Sequence, residues 1–421
     1  MKEYVLLAPF VRILNYGKES ILCNLSNGKW IKINKEIALL FKFGKDEFIK
    51  KCKSLKISNR EIRNFLRILD KYAFSNNFST GNVLKNLSPF RATYLNITNK
   101  CNLSCAHCYY ENGVKSHGLG MSDMISVANS LFLSGIKLLT ISGGEPLIRP
   151  DAKDLFKSIG EIGFKKITLL TNGLLMNREI AHIISNLGWD VRVSLDGHNE
   201  EINAKIRGKE NFQKTIRGIK ILKEADIKDI HLITTVCSVN IKHLVEIELL
   251  ANKLGVNFGT SIFTSVGNGA KNSYLQPPID EMINYFTQRV SLLKCEETNS
   301  DLLNIECGIT CGCGVTMISV DCFGNVFPCH LLHKKDLKIG NLIENRDLIK
   351  LTEKSSVAQK FLKRTVEYRK CHGCRVEYFC KGGCLARTRD YYLAKENSWM
   401  EKDPLCALHK KILSAQLWKE T

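Results

Sequence analysis

The run Lys100-Cys101-Asn102-Leu103-Ser104-Cys105-Ala106-His107-Cys108 places three cysteines within eight residues. A structural zinc or iron–sulfur site takes four protein ligands, so a set of three thiolates leaves one metal position open for chemistry. The segment just before it, Thr93–Thr98, has the β-branched and apolar composition of a strand. We therefore expect the cysteines to lie in a loop at the end of a strand, where parallel α/β proteins carry their ligands.

Strand-like and helix-like segments alternate through the middle of the chain. The candidate strands are Thr93–Thr98, Leu138–Ser142, Lys166–Thr171, Val191–Leu195, Asp229–Val236 and Phe258–Phe263. The candidate helices are Ser122–Ser134, Asp151–Ile159, Arg178–Leu187, Asn211–Ala225, Ile241–Lys253 and Ile279–Leu293. Such repeated units predict an α/β fold with a parallel sheet and right-handed crossovers, and six of them fit a partial (β/α)6 TIM-like barrel.

Three further turns follow the second, third and fourth candidate strands. They are Ser142-Gly143-Gly144-Glu145-Pro146, Thr171-Asn172-Gly173 and Ser194-Leu195-Asp196-Gly197. Glycines in such turns let backbone groups approach a ligand closely. Together with the three-cysteine loop, and in this order, the turns resemble the radical S-adenosylmethionine (SAM) enzymes. The resemblance predicts a radical SAM core over residues 91–295.

The resemblance also implies roles for single residues. Cys101, Cys105 and Cys108 would hold a [4Fe-4S] cluster whose open iron binds the amino and carboxylate groups of SAM. At the amino end of SAM, the expected contacts are Gly143, Gly144, Glu145 and Pro146. Along the nucleoside they are Asn172, Ser194 and Asp196, and His107 is expected near the adenine. Arg207, downstream of the fourth strand, is a further expected contact. A structural role is the alternative for His107, and a surface ion pair is the alternative for Arg207.

A second group of cysteines lies in the last third of the chain, where the strand–helix pattern fades. The pattern Cys371-x2-Cys374-x5-Cys380-x3-Cys384, with Cys311-x12-Gly324-x4-Cys329 before it and Cys406 after it, resembles the SPASM domain, which binds two auxiliary [4Fe-4S] clusters. The resemblance implies one cluster on Cys371, Cys374, Cys380 and Cys406, and another on Cys311, Cys329 and Cys384. Cys307 and Cys313 are alternatives for the remaining position, and a vacant iron that accepts a substrate thiolate is a third. A zinc ribbon needs only four ligands, whereas this region offers at least eight cysteines.

His330 directly follows Cys329 and is a candidate catalytic base. Sulfatase-maturing relatives carry an aspartate at this position, whereas thioether-forming peptide maturases carry a histidine. An imidazole exchanges protons near neutral pH, which suits a base; the alternative is a hydrogen-bond donor to the neighbouring cluster. The histidine therefore favours thioether formation over sulfatase maturation.

Residues 1–90 precede the core and differ from it in pattern. Three short strands, Val5–Leu14, Ser20–Leu25 and Lys29–Ile33, are followed by three helices, Lys35–Phe43, Lys45–Lys53 and Ser58–Ala73. Ser58 is a candidate N-cap, and Glu61 three residues later completes a capping box. The order and size resemble the winged-helix-like domain that recognises leader peptides by strand addition. A capping α/β subdomain is the alternative.

Composition limits the class of protein. The formal net charge is +19, from 61 basic and 42 acidic residues, but the basic residues match no nucleic-acid motif, so an acidic peptide is the preferred partner over RNA. The seventeen cysteines are odd in number and clustered, and the sequence shows no export signal. These features indicate metal binding rather than disulfides. We expect a cytoplasmic protein, because no apolar run is long enough for a membrane span.

These observations predict a peptide-modifying oxidoreductase of the radical SAM and SPASM group, with three [4Fe-4S] clusters and SAM as cofactors. Residues 1–90 would recognise a leader peptide, residues 91–295 would form the catalytic core, and residues 296–421 would bind the auxiliary clusters. The partners would be a ribosomally made precursor peptide and an electron donor such as flavodoxin or ferredoxin. The expected product is a cysteine thioether; formylglycine formation and a carbon–carbon cross-link are the alternatives.

Overall fold

The computed structural model describes residues 7–75, 90–110, 116–295, 305–393 and 398–418. The N-terminal part is a three-stranded antiparallel sheet in the order β1-β2-β3, followed by three helices. The strands are β1 Val11–Tyr16, β2 Glu19–Asn24 and β3 Trp30–Asn34, and the helices are α1 Lys35–Leu40, α2 Lys45–Ser54 and α3 Asn59–Lys71. This order of elements is the predicted one.

The predicted capping box at the start of α3 is present. The Ser58 hydroxyl accepts a hydrogen bond from the Glu61 backbone, and the Glu61 carboxylate accepts from the Ser58 backbone N–H at 2.9 Å. The predicted strand from Val5 to Leu14 was wrong at its start, because β1 begins at Val11 and residues 8–10 form a bend through Pro9, which has no N–H for a ladder. Residues 5 and 6 lie outside the described residues.

The central part forms the predicted parallel sheet. Its strands are β4 Ala92–Asn96, β5 Leu138–Ser142, β6 Lys166–Thr171, β7 Asp190–Ser194, β8 Ile230–Val236 and β9 Asn257–Ile262, paired in chain order. The helices are α4 Met121–Leu133, α5 Ala152–Gly160, α6 Arg178–Asn186, α7 Glu200–Arg207, α8 Phe212–Glu224, α9 Leu244–Leu254 and α10 Ile279–Cys295. The strands and helices fall within two or three residues of the predicted ones.

Two helical details differ from the prediction. Helix α7 was not predicted; Asn199 caps it by accepting from the Ile202 N–H, and its eight residues end at Gly208 with a positive φ. The helix predicted from Ile241 begins instead as a 3-10 turn, Ile241–His243, before α9. Short helices with only two or three apolar positions carry too little periodicity to be recognised from the pattern alone.

The C-terminal part extends the sheet, which the sequence pattern did not indicate. Strand β10 Met317–Val320 pairs parallel to β4, and β11 Asn325–Phe327 and β12 Gly340–Asn341 follow antiparallel, giving nine strands in the order β12-β11-β10-β4-β5-β6-β7-β8-β9. The described residues of this part also contain five α-helices: α11 Leu348–Lys354, α12 Ser356–Leu362, α13 Glu377–Cys380, α14 Leu385–Tyr391 and α15 Cys406–Trp418. The pairing of β10 with β4 therefore connects the C-terminal part, with its cysteines, to the β4 edge of the parallel sheet.

The N-terminal sheet is covered on both faces. One face packs on α1, α2 and α3 through residues such as Leu22, Phe41 and Phe48. The other packs on C-terminal residues that include Val376 and Phe379. Within the described ranges, no helix is both long and apolar enough to cross a membrane.

Candidate functional site

The three-cysteine loop follows β4, as predicted. Cys105 is 8% exposed, and burial raises the pKa of its thiol to about 12, although the nearby Arg207 guanidinium opposes the shift. The loop is held from the far side of the barrel by two amides: Asn268 Nδ2 donates to the Cys105 carbonyl at 2.9 Å, and Asn272 Nδ2 donates to the Ala106 carbonyl at 3.0 Å. Sequence reasoning missed both asparagines, since nothing in their local pattern points to a loop 160 residues away.

The Gly143-Gly144 turn lies directly against this loop. A Cβ on Gly143 would overlap the Thr98 carbonyl oxygen, and one on Gly144 would overlap that of Lys100, so glycine is required at both positions. Pro146 begins a 3-10 turn, Pro146–Ile148, directly after it. The turn brings the end of β5 beside the cysteines.

Glu145 faces protein donors rather than open space. Its carboxylate accepts hydrogen bonds from the Thr171 hydroxyl and the Asn172 N–H, both at 2.7 Å, and from the Leu147 N–H at 3.1 Å. Asn172 Nδ2 in turn donates to Asn102 Oδ1 at 2.8 Å, inside the cysteine loop. The carboxylate therefore ties the ends of β5 and β6 to the loop.

Asp196 organises a buried polar cluster beside Cys105. Its Oδ2 lies 2.6 Å from Arg207 Nε and 2.7 Å from His107 Nε2, and its Oδ1 accepts from the Thr235 N–H at 2.7 Å. Burial alone would raise the pKa of Asp196, but Arg207 and His107 hold it at about 2. Arg207 is 8% exposed, so it is not in the surface ion pair that was its alternative. Ser194, which ends β7, is half-buried two residues away.

Several buried polar atoms near the loop have no hydrogen-bond partner in the described chain. They are His107 Nδ1 and both amide atoms of Asn96, the last residue of β4. Buried polar groups are almost always satisfied, so these atoms indicate a place for a polar ligand. Three thiols, a glycine turn and unsatisfied polar atoms fit a cluster with one open iron and a bound polar cofactor.

Four C-terminal cysteines line one cavity at the surface. Cys371, Cys374, Cys380 and Cys406 surround a volume of about 510 Å³, and we call them the surface quartet. Burial raises the pKa of Cys380 to about 12, and the thiols of Cys371 and Cys406 raise it further. The structure thus brings together the four residues that the sequence pattern grouped.

Four other cysteines form a second group, which we call the second quartet: Cys313 and Cys329 are buried, Cys384 is half-buried and Cys311 is exposed. Cys313 hydrogen-bonds to both Cys311 and Cys329, and burial raises the pKa of Cys384 to about 12 next to them. Cys307 lies elsewhere, hydrogen-bonded to Cys23, with its Sγ 3.3 Å from the Lys29 carbonyl oxygen in the N-terminal sheet. Of the two alternatives for the fourth ligand, we therefore propose Cys313.

Asp403 joins the two quartets. Its side chain is 1% exposed and accepts hydrogen bonds from the Cys384 N–H at 2.5 Å and from Arg387 Nη1 at 3.0 and 3.1 Å. Its backbone carbonyl accepts from the Cys406 N–H at 2.8 Å. One residue thus touches a member of each quartet.

No three His, Cys, Asp or Glu side chains of the described residues converge as they would on a single metal ion. A zinc ion draws its four ligands to about 2.3 Å or less, whereas a cubane places iron and sulfide between its thiolates. The two quartets together offer eight cysteines, twice the number that one zinc ribbon uses.

A small cavity lies between residues that flank the cysteine loop and residues that follow Cys329. It measures about 180 Å³ and is lined by Asn99, Tyr109, Tyr110, Gly267, Asp321, Cys322, Phe323, His330, Leu331, His333 and Lys334. His330 stacks on Tyr94 with ring centroids 4.2 Å apart, and its Nδ1 lies 3.6 Å from Cys329 Sγ. Burial lowers the pKa of His333 to about 3, so that ring stays neutral. Sequence reasoning found His330 but missed the two tyrosines and His333.

Two sequence profiles match the chain. That of the Radical SAM superfamily covers residues 95–251, and that of an iron–sulfur cluster-binding domain, SPASM, covers residues 311–375. The first spans the three-cysteine loop and the polar turns, and the second spans most of the C-terminal cysteines. The chain is a radical SAM enzyme with a SPASM domain. The cofactors of these domains are [4Fe-4S] clusters and SAM.

Curated relatives of the chain include a protein named as a maturase and one named as a biosynthesis protein. The mycofactocin maturase of Mycobacterium tuberculosis is 25% identical over 304 residues, covering 69% of this chain and 77% of its own. The subtilosin biosynthesis protein AlbA of Bacillus subtilis is 27% identical over 347 residues, covering 75% of this chain and 72% of its own. An uncharacterised protein of Archaeoglobus fulgidus is 26% identical over 346 residues, covering 76% of this chain and 80% of its own.

Solved structures show the same radical SAM and SPASM fold. The enzyme anSMEcpe with bound AdoMet has a TM-score of 0.64 at 21% identity, covering 78% of this chain and 97% of its own. SuiB of Streptococcus suis, bound to S-adenosylmethionine, has a TM-score of 0.57 at 16% identity, covering 95% of this chain and 99% of its own. At these identities the likeness concerns the fold alone.

Proposed function

We propose that this radical SAM enzyme modifies a ribosomally made precursor peptide and joins a cysteine sulfur of that peptide to a carbon atom. The observation that carries the proposal is the small cavity lined both by Asn99 and Tyr109, which flank the three-cysteine loop, and by His330, which follows Cys329. A peptide side chain in that cavity would lie between both iron–sulfur sites. The names of the relatives, a mycofactocin maturase and a subtilosin biosynthesis protein, agree with a peptide substrate.

Three thiolates, from Cys101, Cys105 and Cys108, would hold the first cluster and leave one iron open. SAM held at that iron would supply the chemistry that removes a hydrogen atom from the peptide. Asp196 would keep Arg207 and His107 in place beside the loop, and the unsatisfied His107 Nδ1 would face the cofactor. The half-buried tyrosines of the cavity, Tyr109 and Tyr110, would exclude water from the reacting carbon.

His330 would serve the second half of the reaction. Its Nδ1 is turned to Cys329, which leaves Nε2 as the nitrogen that can accept the proton of the substrate thiol. A carbon–sulfur bond then forms, and one electron leaves the peptide. The two quartets, linked by Asp403, would hold the auxiliary clusters, whose chemistry is to accept and pass on single electrons. The external partner would be an electron donor such as flavodoxin or ferredoxin, which would reduce the first cluster. The peptide therefore loses the mass of two hydrogen atoms.

The N-terminal sheet and helices would hold the leader of the same precursor. SuiB, whose likeness extends over this part of the chain, has also been solved bound to the precursor peptide SuiA. A leader held at a fixed distance raises the local concentration of the segment to be modified. We expect the enzyme to work in the reducing cytoplasm, where such thiols stay free.

Anaerobic reconstitution followed by mass spectrometry of a co-expressed precursor tests the proposal. We expect about twelve irons per chain, 5′-deoxyadenosine in the presence of SAM and dithionite, and a peptide lighter by two hydrogen atoms with one cysteine protected from alkylation. A product that reacts with carbonyl reagents would indicate formylglycine instead. A product whose cysteines all remain alkylatable would indicate a carbon–carbon link. Absence of 5′-deoxyadenosine from iron-loaded protein would refute radical SAM catalysis by this chain.

A further inference from the structure

The positive charge of the chain is concentrated at its N-terminal end. Residues 1–75 contain sixteen lysine and arginine residues but seven aspartate and glutamate residues, so they carry nine of the nineteen net charges. Residues 90–295 carry only five net positive charges, although this segment is nearly three times as long as residues 1–75. The net positive charge per residue is therefore highest in the N-terminal part.

Helix α3 presents this charge as a stripe. Arg60, Arg63, Arg67 and Lys71 are all exposed. At about 100° per residue these four positions fall within an arc of about 80°, and they extend over about 16 Å of the helix axis. Ile62 and Leu69, on the opposite side of the helix, are buried in the N-terminal core. We call the four cations the α3 stripe.

The acidic side chains of α3 do not neutralise the stripe. The Glu61 carboxylate is held by Ser58, at 2.9 Å from its N–H and 2.6 Å from its hydroxyl, and Asp70 accepts from the Ser75 hydroxyl at 2.5 Å. The ion pairs of the described N-terminal residues are Arg12–Glu367, Lys32–Glu19 and Lys51–Glu47, and none of them includes a stripe residue. Among the described residues, the three arginines of α3 thus face solvent without a carboxylate at ion-pair distance.

We propose that the α3 stripe is the docking surface for an acidic segment in the leader of the precursor peptide. This rests on the proposed function, because it assigns a charge and a position to the leader. Opposite charges on the two surfaces would steer the peptide to α3 and set its register along the helix. Ile68, which is 40% exposed and flanks the stripe, offers an apolar contact to the same segment.

A peptide fits the stripe better than a nucleic acid does. Proteins that bind single strands stack bases on exposed aromatic side chains. The only aromatic residue of α3, Phe65, is half-buried against Phe41 and Phe48, with ring centroids 6.2 and 6.5 Å away. The exposed face of α3 therefore offers cations and an isoleucine but no stacking platform.

Fluorescence anisotropy on the full-length reconstituted protein tests the proposal. The probes are a labelled peptide in which glutamates alternate with alanine and leucine, and a second peptide with glutamine in place of each glutamate. We expect the glutamate peptide to bind about tenfold more tightly at low salt, with the difference shrinking as salt rises. The double variant Arg60→Glu/Arg63→Glu should lose that preference.

The matched control is Lys214→Glu/Arg217→Glu, which also reverses two exposed cations three residues apart near the start of a helix, in α8. It should retain the affinity of the parent protein within about twofold. Equal losses in both double variants would mean unspecific charge attraction and would overturn the proposal. So would a uridine oligonucleotide that competes as well as the glutamate peptide at equal charge.

An assay of 5′-deoxyadenosine formation distinguishes a failure of this proposal from a failure of the proposed function. The stripe lies outside the proposed cofactor sites, so Arg60→Glu/Arg63→Glu should cleave SAM at the parental rate without peptide. If the parent protein itself forms no 5′-deoxyadenosine, the proposed function is refuted. If the parent protein forms 5′-deoxyadenosine but binds both probe peptides equally, only the docking site is refuted.

Discussion

Single residues of the site differ in how well the sequence identifies them. Cysteines are recognisable because cluster ligation demands thiolates at short spacings, and all three of the first loop lie at the predicted strand end. Asn268 and Asn272 hold that loop through amide–carbonyl hydrogen bonds, which leave no mark on local sequence. Residues that bind a cofactor directly are thus easier to predict than those that position them.

Cys105→Ala should abolish 5′-deoxyadenosine formation, because two thiolates cannot hold a cluster with one open iron. Iron content should fall by about one third, from about twelve to about eight atoms per chain, since both quartets remain. Iron assay and product chromatography measure the two effects. Cys52→Ala, which removes another buried thiol in the N-terminal core, is the control and should change neither. Residual activity in well-loaded Cys105→Ala would contradict the assignment.

Asp403→Asn should destabilise the SPASM domain by about 3 kcal/mol, because it leaves the buried Arg387 guanidinium without its carboxylate. It should also raise the reduction potentials of both auxiliary clusters, since a negative charge beside each is removed. Thermal unfolding and redox-titrated EPR report these changes. Asp336→Asn, at an exposed ion pair with Arg389, should alter neither. A change in stability without a shift in either potential would show that Asp403 is only structural.

Loops and caps decide how well the elements keep their positions. Gly267→Ala should cost about 3 kcal/mol, because the residue has a φ of +59° and its new Cβ would overlap the Tyr109 carbonyl. Gly17→Ala, with a φ of +55° and no atom within 4 Å of the Cβ, should cost only about 1 kcal/mol. Chemical denaturation gives both values. Equal losses in the free energy of unfolding would mean that the close contact between Gly267 and the Tyr109 carbonyl does not contribute to stability.

Ser58→Ala should destabilise α3 by about 1 kcal/mol, because the Glu61 N–H loses its acceptor at the helix start. Amide hydrogen exchange should accelerate in the first turn of α3 and remain unchanged in α2. Ser54→Ala, which removes an exposed hydroxyl bonded to the Lys51 carbonyl, is the comparison and should have a smaller effect. Equal protection in both variants would contradict the capping box.

For the whole molecule, the N-terminal sheet is attached by side-chain contacts to the C-terminal part. Trp30 Nε1 donates to the Ile305 carbonyl at 2.7 Å, and its ring meets Phe379 edge-on with centroids 5.4 Å apart. Trp30→Ala should therefore weaken precursor modification by about tenfold while leaving peptide-independent 5′-deoxyadenosine formation unchanged. Phe48→Leu, within the N-terminal core, should lower stability without this uncoupling. Parallel loss of both activities in Trp30→Ala would contradict a role in positioning.

The sequence by itself determined the six-strand parallel barrel, the cysteine loop at its first strand and the family of the chain, because periodicity and ligand spacing are local properties. Only the tertiary structure decided that Cys313, and not Cys307, lies beside the other cysteines of the second quartet, and which residues face the loop. Strand β10 pairs with β4 across more than 200 residues, and the segment after it sets His330 on Tyr94. Such pairings arise from the fit of distant surfaces, which no local pattern records.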